Sequence, residues 1–291
     1  MDLDVLRAKN LAKLPPLDSR GFGTGSLTLN PDSRLRAMES LRVIRRVKAM
    51  GIPNQADLTT YVKGNYNQGD ENSCVAYSVA GMQSTYEEIE HNRWITFDAE
   101  ESYVANGGYG PNGISAVDAL DWEESPGMRD ISTGQRYKIA TYAFANPMTD
   151  AGIQTIKAAI AAKRPCVLAL LLPADFGDQF EGDGTCKSDV VTSGYHQICV
   201  VGYDQVRFKL LNSWGNNWGI KGIGSIKWSF VQKAEQRGWV YAYTTTDVTE
   251  PGSTPFFAEQ MTEFFENMPT PQELPLPSKR KRMLGKRKSS K

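Results

Sequence analysis

The chain has 291 residues, 40% hydrophobic and 23% charged, with four cysteines, two histidines and a formal net charge of zero. That length supports one large domain or two closely packed lobes, while the longest purely apolar run, Cys166–Leu172, is far too short to span a bilayer. Four cysteines are too few for a disulfide scaffold, and Asp2, Asp4, Arg7, Lys9 and Lys13 interrupt any signal-peptide core, so a reducing, intracellular setting is expected.

Residues 1–55 read as an N-terminal extension or a short pro-segment. Pro15–Pro16 and the GFGTGS stretch break regular structure there. Asp32–Met50 then predicts a helix, with Leu35, Met38, Leu41, Ile44 and Val47 on one face and a basic opposite face. It either docks on the main domain or covers an active site. Ser73 to about Glu90 predicts a second helix, from Val75, Val79, Met82, Tyr86 and Ile89, with Asn72 or Ser73 as its cap. Asp150 caps a third, Ile153–Ala162, which Pro165 ends.

Cys166–Leu172 is a buried strand, and further strands are predicted at Gln197–Tyr203, Phe208–Asn212, Gly224–Trp228 and Trp239–Thr244. Helices thus dominate the first half of a core spanning 56–248 and strands the second, an α+β arrangement. Residues 249–277 form a Pro-rich linker and 278–291 a basic disordered tail. The tail holds eight of the 33 Lys and Arg and no acid, leaving the rest of the chain at −8.

Cys74 follows the polar turn NQGDENS and heads the second helix. A buried cysteine packs anywhere as a small hydrophobe, but a nucleophilic one gains from a helix N-terminus, which favours the thiolate. Such a nucleophile needs a base, a group to orient that base, and oxyanion donors. Only two histidines exist, and His91 lies 17 residues along the same predicted helix, about 25 Å away at ~1.5 Å per residue. His196 is therefore the partner or there is none. Asn212, sixteen residues later at the end of the next strand, can accept from one imidazole nitrogen while the other faces the thiol. Gln68, six residues before Cys74, can join the Cys74 backbone N–H as an oxyanion donor.

Asn67-Gln68-Gly69, Ser73-Cys74, His196-Gln197-Ile198 through Val201-Gly202-Tyr203, and Asn212-Ser213-Trp214-Gly215 with Trp218-Gly219 and Gly222 resemble, in order and spacing, the motifs of the papain family of cysteine peptidases. The resemblance implies a papain-like two-lobe fold, with a helical left lobe, an antiparallel β-barrel-like right lobe and a cleft between them. It implies hydrolysis of peptide bonds by Cys74, His196, Asn212 and Gln68, with no cofactor and no metal. It assigns Gly107 and Gly108, in ANGGYG, to a wall where an extended peptide pairs with backbone; the alternative is a glycine loop without that role. It gives Trp214 to shielding the His–Asn bond from water, and Trp218 either to the primed side of the cleft or to the core.

The departures are as informative. Glu71 and Ala105 stand where secreted members carry a disulfide, Asn72 replaces a glycine and Val75 a tryptophan. Cys166 and Cys199 read as structural, and Cys186, in a polar loop, as a candidate exposed thiol. The competing function is a catalytically inactive papain-like protein serving as a binding or structural component, in a virion or with nucleic acid. Expected partners are a protein or peptide substrate, and nucleic acid or an import factor through Lys279–Lys291. No membrane partner is expected, a monomer is favoured, and the tail adds nucleus or virus particle as alternative destinations.

Overall fold

The computed structural model describes residues 37–109 and 112–245 and the backbone of 248–249, all within the compact unit Met1–Pro255. Residues 1–36, the Pro-rich stretch from 250 onward and the basic segment Lys279–Lys291 lie outside the described residues.

The helices are α1 (Arg42–Met50), α2 (Cys74–His91), α3 (Ala99–Ala105), α4 (Ala116–Glu124), α5 (Asp150–Ala161) and the one-turn α6 (Trp228–Val231). The helix expected from Asp32 is divided: a 3-10 turn at Met38–Ser40 precedes α1, and Leu41 between them is extended. A three-residue spacing drifts by about 60° per step around an α-helix. The extended residue resets the drift, so that Met38, Leu41 and Ile44 are all buried. α1 lies along α5, where Lys48 Nζ donates to Thr155 Oγ1 at 3.2 Å, and Ala37 bridges Phe144. This described part of the extension docks on the body.

α2 is the central helix, buried along most of its length from Cys74 to Glu88, and it packs on both the other helices and the sheet. The α5 cap is Thr149, whose hydroxyl accepts from Gly152 N–H at 3.0 Å, rather than the expected Asp150. α3 and α4 are too short for their apolar positions to show a period. Each begins at a side-chain cap, Asp98 and Ser115 respectively.

The strands are β1 (Ala56–Asp57), β2 (Met128–Arg129), β3 (Arg136–Ile139), β4 (Tyr142–Ala145), β5 (Cys166–Pro173), β6 (Val191–Tyr203), β7 (Arg207–Leu211), β8 (Ile223–Lys227), β9 (Tyr241–Thr245) and β10 (Val248–Thr249). The main antiparallel sheet runs β4-β9-β5-β6-β7-β8, with β1 added to β6, and β2, β3 and β10 form a separate small sheet. The architecture is the expected mixture of helices and antiparallel sheet. The β part is an open sheet among the described residues, however, not a closed barrel. β5 lies between β6 and β9, and α2 and α5 also pack against it; it is buried throughout, in keeping with its unbroken apolar sequence.

Candidate active site

The β6–β7 hairpin brings His196 and Asn212 together. Its turn is set by Asp204, whose Oδ1 accepts from both Val206 and Arg207 N–H at 2.7 Å. From that turn the register runs to Cys199 opposite Leu211, with a bulge between Val200 and Gly202. Asn212 then follows directly on β7, anchored by its N–H to the Gly222 carbonyl at 2.9 Å. Its side-chain oxygen reaches His196 Nε2 at 2.9 Å. That oxygen can only accept, so Nε2 carries the proton and Nδ1 is the lone-pair nitrogen of the neutral ring. Nδ1 is buried and makes no hydrogen bond. Burial drives the His196 pKa down to about 4, with the Asn212 bond acting in the opposite sense.

Aromatic rings roof this pair. Trp214 lies 5.0 Å from the His196 ring and Phe176 5.8 Å from it, with 5.1 Å between the two. Such a roof excludes water and strengthens the hydrogen bond beneath it. Trp218 takes the second of its two expected places, the core. It is fully buried, packed against Phe176 with ring centroids 4.7 Å apart and donating from Nε1 to the Phe176 carbonyl, so it supports the roof from the core. Phe176 was not legible in the sequence, because it sits in an ordinary turn after β5 with no motif around it.

Gln68 is tied to the strand that carries Asn212. Its backbone N–H donates to the Ser213 carbonyl at 2.8 Å, and its Oε1 accepts from Ser213 Oγ at 2.7 Å. With the oxygen end held there, the amide nitrogen turns toward the start of α2, where it donates to the Glu71 carbonyl at 2.8 Å. Ser73 is the N-cap residue of α2, but its hydroxyl makes no capping bond and is buried without a partner. The first turn of the helix, which contains Cys74, therefore keeps its backbone dipole uncompensated by a side-chain cap. One turn on, Ser78 Oγ accepts from Gln197 Nε2 at 2.8 Å, locking α2 to the strand residue adjacent to His196. Cys74 itself is buried. It lies with Glu71 and Glu100 among the groups that, after burial, raise the Tyr103 hydroxyl above its ordinary range.

Gly107 and Gly108 close a helix end. Gly107 adopts the left-handed conformation (φ 86) and donates to the Val104 carbonyl at 3.1 Å, while Gly108 donates to the Tyr103 carbonyl at 2.9 Å. This is a Schellman closure of α3. Both N–H groups serve the helix end, so neither offers a donor to a substrate backbone. Gly108 is required on a second ground, because a Cβ there would collide with the Tyr103 ring.

The remaining thiols are buried structural groups. Burial pushes Cys166 and Cys186 up to about 12 and Cys199 well above the usual thiol range. Cys186, expected as a candidate exposed thiol, is 2% exposed, because its loop is drawn in by its own N–H donating to the Ser225 carbonyl at 3.0 Å. Among the described residues no cluster of three His, Cys, Asp or Glu could hold a metal ion.

The family model for papain family cysteine proteases matches residues 52–236. No curated protein matches significantly. Among solved structures, the chain is similar to xylellain, a cysteine protease from Xylella fastidiosa, at 18% identity and a TM-score of 0.64, covering 79% of this chain and 99% of that one. It is also similar to the Carica candamarcensis cysteine protease CMS1MS2 in complex with E-64, at 20% identity and a TM-score of 0.56, covering 67% and 99%. A third is proCathepsin B S9 from Trypanosoma congolense, at 14% identity and a TM-score of 0.59, covering 77% and 87%. At these identities the likeness is one of fold.

Proposed function

The chain belongs to the papain family of cysteine proteases, and from that premise we propose that it hydrolyses peptide bonds through Cys74, His196, Asn212 and Gln68. The observation that carries the reading is the 2.9 Å bond from His196 Nε2 to Asn212 Oδ1, with Nδ1 left as an unbonded, buried base. Cys74 gives its thiol proton to Nδ1, and the thiolate so formed is the counter-charge that makes a buried imidazolium tolerable. Cys74 Sγ then attacks the substrate carbonyl carbon. The oxyanion is held by the Cys74 backbone N–H and by Gln68 Nε2, which shares its two hydrogens between that oxygen and the Glu71 carbonyl. Collapse breaks the C–N bond as His196 protonates the leaving amine, and water assisted by the same ring hydrolyses the thioester.

The test is intact mass after exposure to a peptidyl epoxide, which alkylates activated thiols. One adduct on the wild type and none on Cys74→Ala is expected. Absence of an adduct on the wild type, repeated on a chain starting near Asn54, would move the reading to a non-catalytic binding protein.

Two further proposals rest on sequence alone. A reducing location fits the four cysteines, and the basic run Lys279–Lys291 suits contact with nucleic-acid phosphates or an import factor. Among the described residues no helix is long and apolar enough to cross a membrane.

A further inference from the structure

Beyond Trp214 the cleft opens into a pocket of about 350 Å³, lined chiefly by Asn67, Asp70, Phe180, Trp214, Asn216 and Asn217. Trp214 covers His196, the group that delivers a proton to the leaving amine in the mechanism proposed above, so the pocket receives the residue following the scissile bond. This inference rests on that mechanism. The pocket has an aromatic side, where Phe180 and Trp214 lie parallel to within 4° with centroids 5.9 Å apart. Phe180 is held by its bridge to Trp218. Glu181, exposed and in the left-handed conformation, donates its N–H to the carbonyl of Asn217, a lining residue, at 2.7 Å, which ties it next to the pocket.

Asn67, which bridges Trp214, also lines the pocket; the Gly69 N–H donates to its Oδ1 at 3.1 Å, and Gly69 takes φ 60. That turn presents Asp70, exposed, to the pocket, and its carboxylate makes no ion pair with any described residue. No lysine or arginine lines the pocket. An aromatic face with one acidic lining residue, Asp70, and a second acid, Glu181, tied through its backbone to the lining residue Asn217 matches one type of side chain: a cation on a long apolar stem.

We propose that this pocket selects arginine or lysine at the residue following the scissile bond, with Phe180 and Trp214 taking the stem and Asp70 and Glu181 the charge. Both acids are solvated, so the selection is moderate: roughly tenfold for Arg over Glu, the scale of an exposed cation–π contact plus exposed ion pairs. Neither acid belongs to the catalytic set, and the asparagines serve as neutral acceptors.

The experiment uses three internally quenched peptides differing only in Arg, Ala or Glu after the scissile bond, with cleavage positions read by mass. kcat/KM is measured on wild type and on the double variant Asp70→Asn, Glu181→Gln. Dissociation constants of the same peptides are measured on Cys74→Ala. The expected result is the order Arg, Ala, Glu in both rate and affinity, with the Arg-to-Glu ratio falling toward one in the double variant. Equal handling of Arg and Glu, or a ratio unchanged in the double variant, would overturn the assignment. If wild type cleaves none of the peptides while Cys74→Ala still ranks Arg over Glu, the peptidase reading fails and the pocket assignment stands.

Discussion

Asn212 Oδ1 accepts from His196 Nε2 at 2.9 Å and from the Ser213 N–H at 2.9 Å, so a single amide oxygen both orients the imidazole and holds its own strand end. A neutral orienting group fits this site. An aspartate would place a full charge in a fully buried setting where only the ring could balance it.

Asn212→Ala is expected to lower kcat by roughly 10- to 100-fold, a part of the ~10²–10⁴ that acid–base catalysis contributes, with KM nearly constant because the amide touches the ring and not the substrate. Steady-state kinetics on a peptide substrate check it. A kcat within twofold of wild type would remove Asn212 from the orienting role.

The depressed pKa of His196 has a consequence for stability. The folded ring binds a proton only near pH 4, while the unfolded one does so near 6.5. Between those values the unfolded state holds more protons, so stability rises with pH. The contribution is fully present above pH 6.5 and is lost as pH falls toward 4, by roughly 3 kcal/mol in total. Urea unfolding of wild type and His196→Gln from pH 7 to 4.5 reads this out. The wild-type curve should fall more steeply with acid, and parallel curves would refute the burial argument.

Glu123 has the opposite sign. It is fully buried in α4, both carboxylate oxygens lack a hydrogen bond, and burial holds its pKa well above 4.5. The folded state therefore keeps a proton that the unfolded state releases above that pH, and its contribution is lost as pH rises. Glu123→Gln should be more stable than wild type at pH 8, by roughly 1–3 kcal/mol, with the gap closing toward pH 4.5. Chemical denaturation at the two pH values decides it. A variant no more stable than wild type at pH 8 would point to an internal partner for the carboxylate.

The two tryptophans separate function from stability. Trp218→Ala empties a core position and should cost ~3–5 kcal/mol. Trp214→Ala removes the roof over His196 and should reduce kcat more than it reduces stability. Denaturation midpoints and kcat on the same two proteins test the contrast, and equal effects on both quantities would dissolve it.

What the sequence by itself determined is what neighbours along the chain determine. A helix beginning at Cys74 follows from the apolar spacing of Val75 to Ile89. The adjacency of His196 and Asn212 follows from two apolar runs joined across Asp204, because an antiparallel hairpin converts sequence distance into register. The ordered Gln-Cys, His and Asn-Ser-Trp blocks identified the family, and the family model matches that region. The tertiary structure decided whatever depends on contacts between distant segments. Gln68 is aimed by Ser213, 145 residues away, and Phe176 joins the roof only because the turn after β5 meets Trp214 and Trp218. Trp218 is buried against Phe176 and Cys186 against the strand carrying Ser225, segments about 40 residues away. Motif spacing carries no information on burial, since burial sums over neighbours that the local sequence does not name. The glycine pair shows the same limit: the sequence marks a turn, and only the fold shows that both N–H groups close α3.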